Sequence, residues 1–414
     1  MQKQNQSAPG GFLQLGSKAV TGLRLYGDAR IRYQWNNAST EGPANQNHDQ
    51  DRYRLRVRLG VDYQFAENWK AGVRLETGTK SDSANTDFGG FFSKDNMGMN
   101  IGLAYLEYES ATPSLFNNSI GDYIDFRAGK ILQPFFNNDL LFYSEINPEG
   151  FAEQIGWKDV GVEGLNLNLR GGEFIISNVN EDSSWVAGQT PSSDQFLFIG
   201  QAEARYNFDK NAYVSVAPSF ITETDGSAYI TANQQDGNAA FDTSQLPQVN
   251  GYTYFGRIDV VTLPVEVNWQ AFGLPHRVYG SWGYNLSAND RARVYGLRDG
   301  GGNQLFNVGY QLGDTKKKGH WQFIAEYRFI EAAAYDSFLT DSNFFSLNYL
   351  NQQGFILRAA YAFTDNVWLT AAYNHTNAID GNATPVKGLT ASSTTASSLI
   401  KQVDMFQIDL NWKF

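Results

Sequence analysis

The chain has 414 residues, 42% of them apolar, 18% charged and 14% aromatic, with a formal charge of −11 and no cysteine. Disulfide frameworks, thiolate metal sites and cysteine nucleophiles are thereby excluded. So is a general nucleic-acid binder, because phosphate neutralisation needs a basic excess. No stretch approaches the roughly 18 uncharged apolar residues of a membrane-spanning helix; even Phe355 to Phe363 is broken by Arg358.

Taken in chain order, the dominant signal is strict period two over long segments, the pattern of a strand with two unlike faces. Residues 1–21 carry no such pattern and no apolar signal-peptide run. They are expected to be an N-terminal periplasmic extension or a cloning remnant ahead of a single barrel domain, 22–414. In 22–35, Leu23, Leu25, Ala29, Ile31, Tyr33 and Trp35 alternate with Arg24, Tyr26, Asp28, Arg30, Arg32 and Gln34. In 52–65, Tyr53, Leu55, Val57, Leu59, Val61, Tyr63 and Phe65 alternate with a row holding Arg52, Arg54, Arg56 and Arg58. Similar segments follow at 69–77, 99–109, 122–132, 158–170, 173–180, 195–208, 212–222, 252–270, 276–287, 303–313, 319–330, 352–363, 366–377 and 401–414. The segment 252–270 contains Pro264, which predicts a bulge or a second strand there.

A soluble sandwich uses strands of about five or six residues, half the length seen here. Segments of ten to fourteen residues with alternating polarity suit tilted strands crossing a bilayer. The connections alternate between short turns, such as those after residues 65, 170, 208, 272 and 363, and long polar loops at 36–51, 78–98, 133–157, 181–194, 223–250, 288–302, 331–351 and 378–400. The expected fold is therefore all-β: a transmembrane antiparallel β-barrel of about 16 strands with short periplasmic turns and long extracellular loops. An even count lets the barrel close, so that every lipid-exposed backbone group is paired. The last segment alternates Phe406, Ile408, Leu410, Trp412 and Phe414 with polar neighbours and stops at an aromatic.

Three runs between residues 104 and 157, AYLEY, FRAGKILQPFF and LLFYSEINPEGF, resemble a bacterial outer-membrane porin family, as do GYQLG at 309–313, AEYRF at 325–329 and AAYAFTDNVWL at 359–369. The resemblance runs from about residue 22 to the end. It implies a sixteen-stranded, trimeric outer-membrane diffusion channel for small hydrophilic solutes and ions, embedded in the lipid bilayer among lipopolysaccharide, with the third long loop folded into the lumen. The loop reads NPEGF, which departs from the acidic run of the general trimeric porins.

If the apolar row faces lipid, the other row faces water. Arg24, Arg30, Arg32, Arg52, Arg54, Arg56, Arg58, Lys70 and Arg74 then form one basic wall, extended by Arg127 and Lys130. Guanidiniums in a row are tolerable only where water and counter-charges reach them. The third loop carries Asp139, Glu145, Glu149 and Glu153, and Asn147-Pro148-Glu149 reads as the start of a short helix over about 148–155. Opposed across a gap, wall and loop would form a constriction selecting by size and charge; the bland reading is a structural network holding the loop. Alternatives are a substrate-selective channel for sugars or anionic solutes, Tyr26, Tyr108 and Tyr279 being candidate inward aromatics, and a structural barrel plugged by residues such as Phe12, Leu13 and Leu15. His375 with Ser392 or Asp380 is the one combination resembling hydrolase chemistry, and no spacing supports it. No enzyme activity, metal or cofactor is expected.

Overall fold

A computed structural model describes residues 14–15, 18–19, 22–41, 47–78, 84–89, 97–111, 114–115, 118–119, 121–177, 195–224, 248–249, 252–253, 258–289, 302–336, 339–341, 344, 350–379 and 399–414. Its main sheet is a closed antiparallel barrel of sixteen strands. These are β1 (Leu23–Glu41), β2 (Asn47–Ala66), β3 (Trp69–Thr77), β4 (Met99–Ser110), β5 (Tyr123–Lys130), β6 (Glu149–Trp157), β7 (Leu165–Ser177) and β8 (Gln195–Asp209). The second half holds β9 (Ala212–Val216 and Ser219–Glu223), β10 (Asp259–Ala271), β11 (Leu274–Asn285), β12 (Gln304–Gly313), β13 (Trp321–Ile330), β14 (Gln352–Ala362), β15 (Val367–Ala378) and β16 (Leu399–Lys413). The expectation of residues 1–21 as a separate extension falls largely outside the described residues.

Polarity is inverted relative to a soluble core. Ile31 and Leu59 are 43% and 44% exposed, whereas their strand neighbours Arg32 and Arg56 are 5% and 9% exposed. Apolar side chains face out and charged ones face in. That is the only arrangement a bilayer tolerates, since Lys or Arg on the lipid face costs about 2–4 kcal/mol at the midplane. Closure joins β16 to β1: Phe414 and Gly27 exchange backbone hydrogen bonds of 3.0 and 3.1 Å, leaving no edge to pair with another chain. Outward aromatics mark the short-turn rim. Phe65, Trp69 and Tyr108 run together there, and Phe272 stands 98% exposed at the β10–β11 hairpin. In that hairpin Phe272 and Gly273 both have positive φ, 52° and 74°, as a two-residue turn matching strand twist requires. Tyr108 therefore belongs to the exterior, not to the lumen.

Four expectations need correction. The expected helix over 148–155 is strand β6, paired with β5 from Lys130↔Glu149 to Tyr123↔Gly156. The expected turn at Gly171-Gly172 lies inside the continuous strand β7, and the strands placed at 158–170 and 173–180 are one, starting after a turn at 158–164. Gly172 is a glycine because a Cβ there would come within 2.7 Å of Phe135, which packs from inside the barrel. The break foreseen near Pro264 occurs next door. β10 is continuous, while β9 lapses at Ala217-Pro218, and Ala217 donates to the Pro264 carbonyl at 3.0 Å. Pairing resumes without a register change, Val216↔Val265 and then Ser219↔Thr262.

Candidate functional site: the barrel interior

The β5–β6 loop, residues 131–148, folds into the lumen and is gripped at three places. Gln201 of β8 accepts from the Phe136 N–H at 2.7 Å and donates to its carbonyl at 2.9 Å. Asn138 donates to Ser281 of β11 at 2.8 Å and to Asn307 of β12 at 3.2 Å. Beyond these, Glu145 reaches the wall of the first two strands, where it accepts from Arg56 and lies 3.5 Å from Arg30. Burial alone would raise the Glu145 carboxyl, but the Arg30 and Arg56 guanidiniums outweigh it and hold the group at about 2. It therefore stays ionised in its buried place.

Most of the basic row on β1–β3 is paired. Arg32 forms a bidentate pair with Asp409 of β16, both bonds 2.7 Å. Arg56 and Arg58 share Asp28 at 2.9 and 2.8 Å. Arg54 pairs with Asp87 at 2.8 Å, Arg74 with Glu76 at 3.0 Å, Lys70 with Glu107 at 2.7 Å and Arg127 with Asp125 at 2.5 Å. Arg30 is also held by Asn85 at 2.6 Å, from the β3–β4 connection. Among the described residues Arg24 and Arg52 make no ion pair; Arg24 lies over the Tyr26 ring, 5.5 Å from its centre.

Not every expected group arrives. Asp139 and Glu145 are on the inserted loop, but Glu149 and Glu153 are on β6 and point outward. Glu149 meets Lys130 at 2.6 Å on the outer face, so Lys130 leaves the wall as well. Glu153 is exposed beside Phe151. The parity of β6 explains the correction: Ala152, Gln154 and Gly156 are the buried, inward set.

Interior pairs continue beyond the first strands. Arg170 pairs with Glu203 at 2.6 Å, Arg277 with Glu266 at 2.6 Å, and Arg328 with Glu326 at 2.7 Å and Asp341 at 3.0 Å. In the short-turn half, four tyrosines lie over glycines of an adjacent strand: Tyr26 over Gly60, Tyr105 over Gly72, Tyr123 over Gly156 and Tyr279 over Gly309. A Cβ at any of these glycines would fall 2.2–2.4 Å from the ring. Tyr105 and Tyr279 donate to Asp62 and Glu326 at 2.9 Å. Alternation alone could have found the glycines, each inward on its strand beside an inward tyrosine. As for histidine chemistry, His375 meets Asp404 at 2.7 Å on the outer face, while Ser392 and Asp380 lie outside the described residues.

An apolar cylinder with a charged, loop-filled interior defines an outer-membrane porin-type barrel. The chain belongs to the family described as "Putative porin", whose model matches residues 24–275 and 222–414. OprB of Pseudomonas putida, in a high-pH structure, is similar with a TM-score of 0.53 and 8% identity, over 95% of this chain and 94% of that chain. OmpF of Salmonella typhi, in complex with daunomycin, gives 0.47 and 16%, over 95% and 97%. The OprB likeness concerns the fold. No curated protein matches in sequence.

Proposed function

We propose that this barrel is a passive diffusion channel for small hydrophilic solutes and ions, narrowed where the β5–β6 loop meets the basic wall of β1–β3 and β16. The observation that carries the reading is Glu145, an inserted carboxylate held by Arg30 and Arg56 inside a cylinder whose exterior is apolar. Charges of both signs set into the wall of a water-filled lumen create a local field that favours polar solutes and biases ions. Arg24, Arg52, Arg54 and Arg58 line the path on the cationic side, and the pairing of Arg54 with Asp87 and of Arg58 with Asp28 limits the excess charge.

The exterior is lipid-facing in the bacterial outer membrane, and the barrel associates as a homotrimer. Support for the second point comes from the outer face of β6 and β7. Glu153 and Glu173 are exposed there with no ion pair among the described residues, and a neighbouring copy would keep them from hydrocarbon. Planar-bilayer conductance of the purified protein tests both, with closure in three steps reporting three pores. Arg54→Ala with Arg56→Ala should move ion selectivity toward cations. An unchanged reversal potential in the double variant would remove the lining role.

A further inference from the structure

We propose that the size limit of this channel is set by two inserted segments acting as one body, the β5–β6 loop and the described residues 331–336 and 339–341 that follow β13. The proposal rests on the channel reading above and adds the second segment to it. The described residues after β13 do not run out over the rim. Ala333, Ala334 and Tyr335 are fully buried inside the barrel, and Leu339 and Asp341 are nearly so. They grip the middle of the first loop through its backbone. Tyr143 N–H donates to the Leu339 carbonyl at 2.8 Å and Asp341 N–H donates to the Asp139 carbonyl at 3.0 Å. The Tyr335 hydroxyl donates to the Leu141 carbonyl.

The chemistry of the first loop explains why it needs this cover. Leu140, Leu141 and Phe142 are consecutive apolar residues, 0–2% exposed, in what would otherwise be a water-filled lumen. Water would not hold such a run in one place, whereas an apolar partner does. Ala334, Tyr335 and Leu339 join these residues in one cluster. Arg328 fixes the second segment to the wall. Its side chain is 1% exposed and donates to Asp341, so a buried cation and carboxylate are both paired, and moving Asp341 away would strand the charge.

On β14 and β16 the inward Ile356, Val403 and Met405 are 0–1% exposed. The side chains of Arg358 on β14 and of Arg54, Arg58 and Lys70 on β2 and β3 retain 30%, 14%, 20% and 30% exposure. Water thus reaches charged groups on both walls around the packed segments, and the width left open is set by the fit of one segment on the other.

Two experiments test this. In liposome swelling with graded sugars, Tyr335→Ala with Leu339→Ala should admit sugars that the unaltered protein excludes, with swelling rates for those sugars rising severalfold and the reversal potential kept. A cutoff left unchanged in a variant whose folded barrel is verified by heat-shifted gel mobility would overturn the proposal. Because the chain lacks cysteine, Tyr143→Cys with Leu339→Cys offers a single possible disulfide, which ties the two segments together. Reduced and oxidised forms should conduct alike, since the segments stay docked while solutes pass; loss of conductance on oxidation, restored by reductant, would overturn the proposal. No swelling by the unaltered protein would instead remove the channel reading, and this proposal with it.

Discussion

Glu145→Gln keeps the shape of the side chain and deletes one negative charge from between Arg30 and Arg56. Holding a carboxyl at about 2 rather than its ordinary 4.5 corresponds to a preference for the ionised form on the order of 3 kcal/mol, and the amide forfeits it. Gln201 and Asn138 still anchor the other end of the loop, so the barrel should fold. The consequence for ions follows from the charge itself. Removing a unit charge about 7 Å from a permeating ion changes its energy by about 0.6 kcal/mol at a water-like dielectric. Screening over a Debye length of about 8 Å reduces that by roughly half. Anion permeability relative to cation permeability should therefore rise about two- to threefold. In a tenfold salt gradient the reversal potential shifts by about 10–20 mV toward the anion side, since each factor of e in local ion concentration corresponds to RT. The assay is reversal potential in planar bilayers, with conductance recorded alongside. A potential unchanged within a few millivolts, or a shift toward cations, would refute placing Glu145 beside the ion path.

Lowered from 4.5 to about 2, the Glu145 carboxyl stabilises the docked loop fully above pH 4.5 and loses that contribution as pH falls through about 2; selectivity should hold from pH 7 to about 4.5 and drift only in stronger acid, and a transition near neutral pH would contradict the assignment. Gly309→Val sets a branched side chain where even a Cβ falls 2.3 Å from the Tyr279 ring, so the ring must leave its seat and its bond to Glu326. A loss of about 1–3 kcal/mol is expected, read as a lower temperature of the heat-shifted gel transition, with a smaller effect for the same change at the open Gly200. Removing Phe414 deletes the backbone exchange with Gly27 at the β16–β1 seam and should lower the yield of folded barrel in detergent refolding, whereas Phe414→Trp should keep it.

The inside-outside assignment was legible because period two is a local property. Ile31 and Arg32, or Leu59 and Arg58, declare their faces without knowledge of any partner strand. Strand β6 was not, and its composition explains why. Glu149 and Glu153 share the outward row with Phe151 and Ile155, so neither row is cleanly apolar, and Asn147-Pro148-Glu149 imitates a helix start. Gly171-Gly172 failed in the opposite way, since paired glycines signal a turn locally while here Gly172 answers a contact with Phe135 from a loop 37 positions away. One strand missed and one strand split left the count at sixteen.

The charge of the lumen could not be read at all from the arginine-rich row, because its counter-charges come from elsewhere in the chain. Asp28 is on β1 and reaches Arg56 and Arg58 only through the β1–β2 register, in which Asp28 stands opposite Arg58. Asp409 is 377 positions from Arg32, and barrel closure alone brings β16 beside β1. A wall of bare guanidiniums would repel itself, whereas the same wall with interleaved carboxylates is stable and presents only a modest surplus of positive charge. Selectivity in such a lumen depends on cations left without a carboxylate, such as Arg24 and Arg52, and on Glu145, the carboxylate that an inserted loop delivers to Arg30 and Arg56. It follows that exchanging a single charge at Glu145 should matter more to ion preference than exchanging a whole pair such as Arg58 with Asp28, whose removal leaves the surplus as it was.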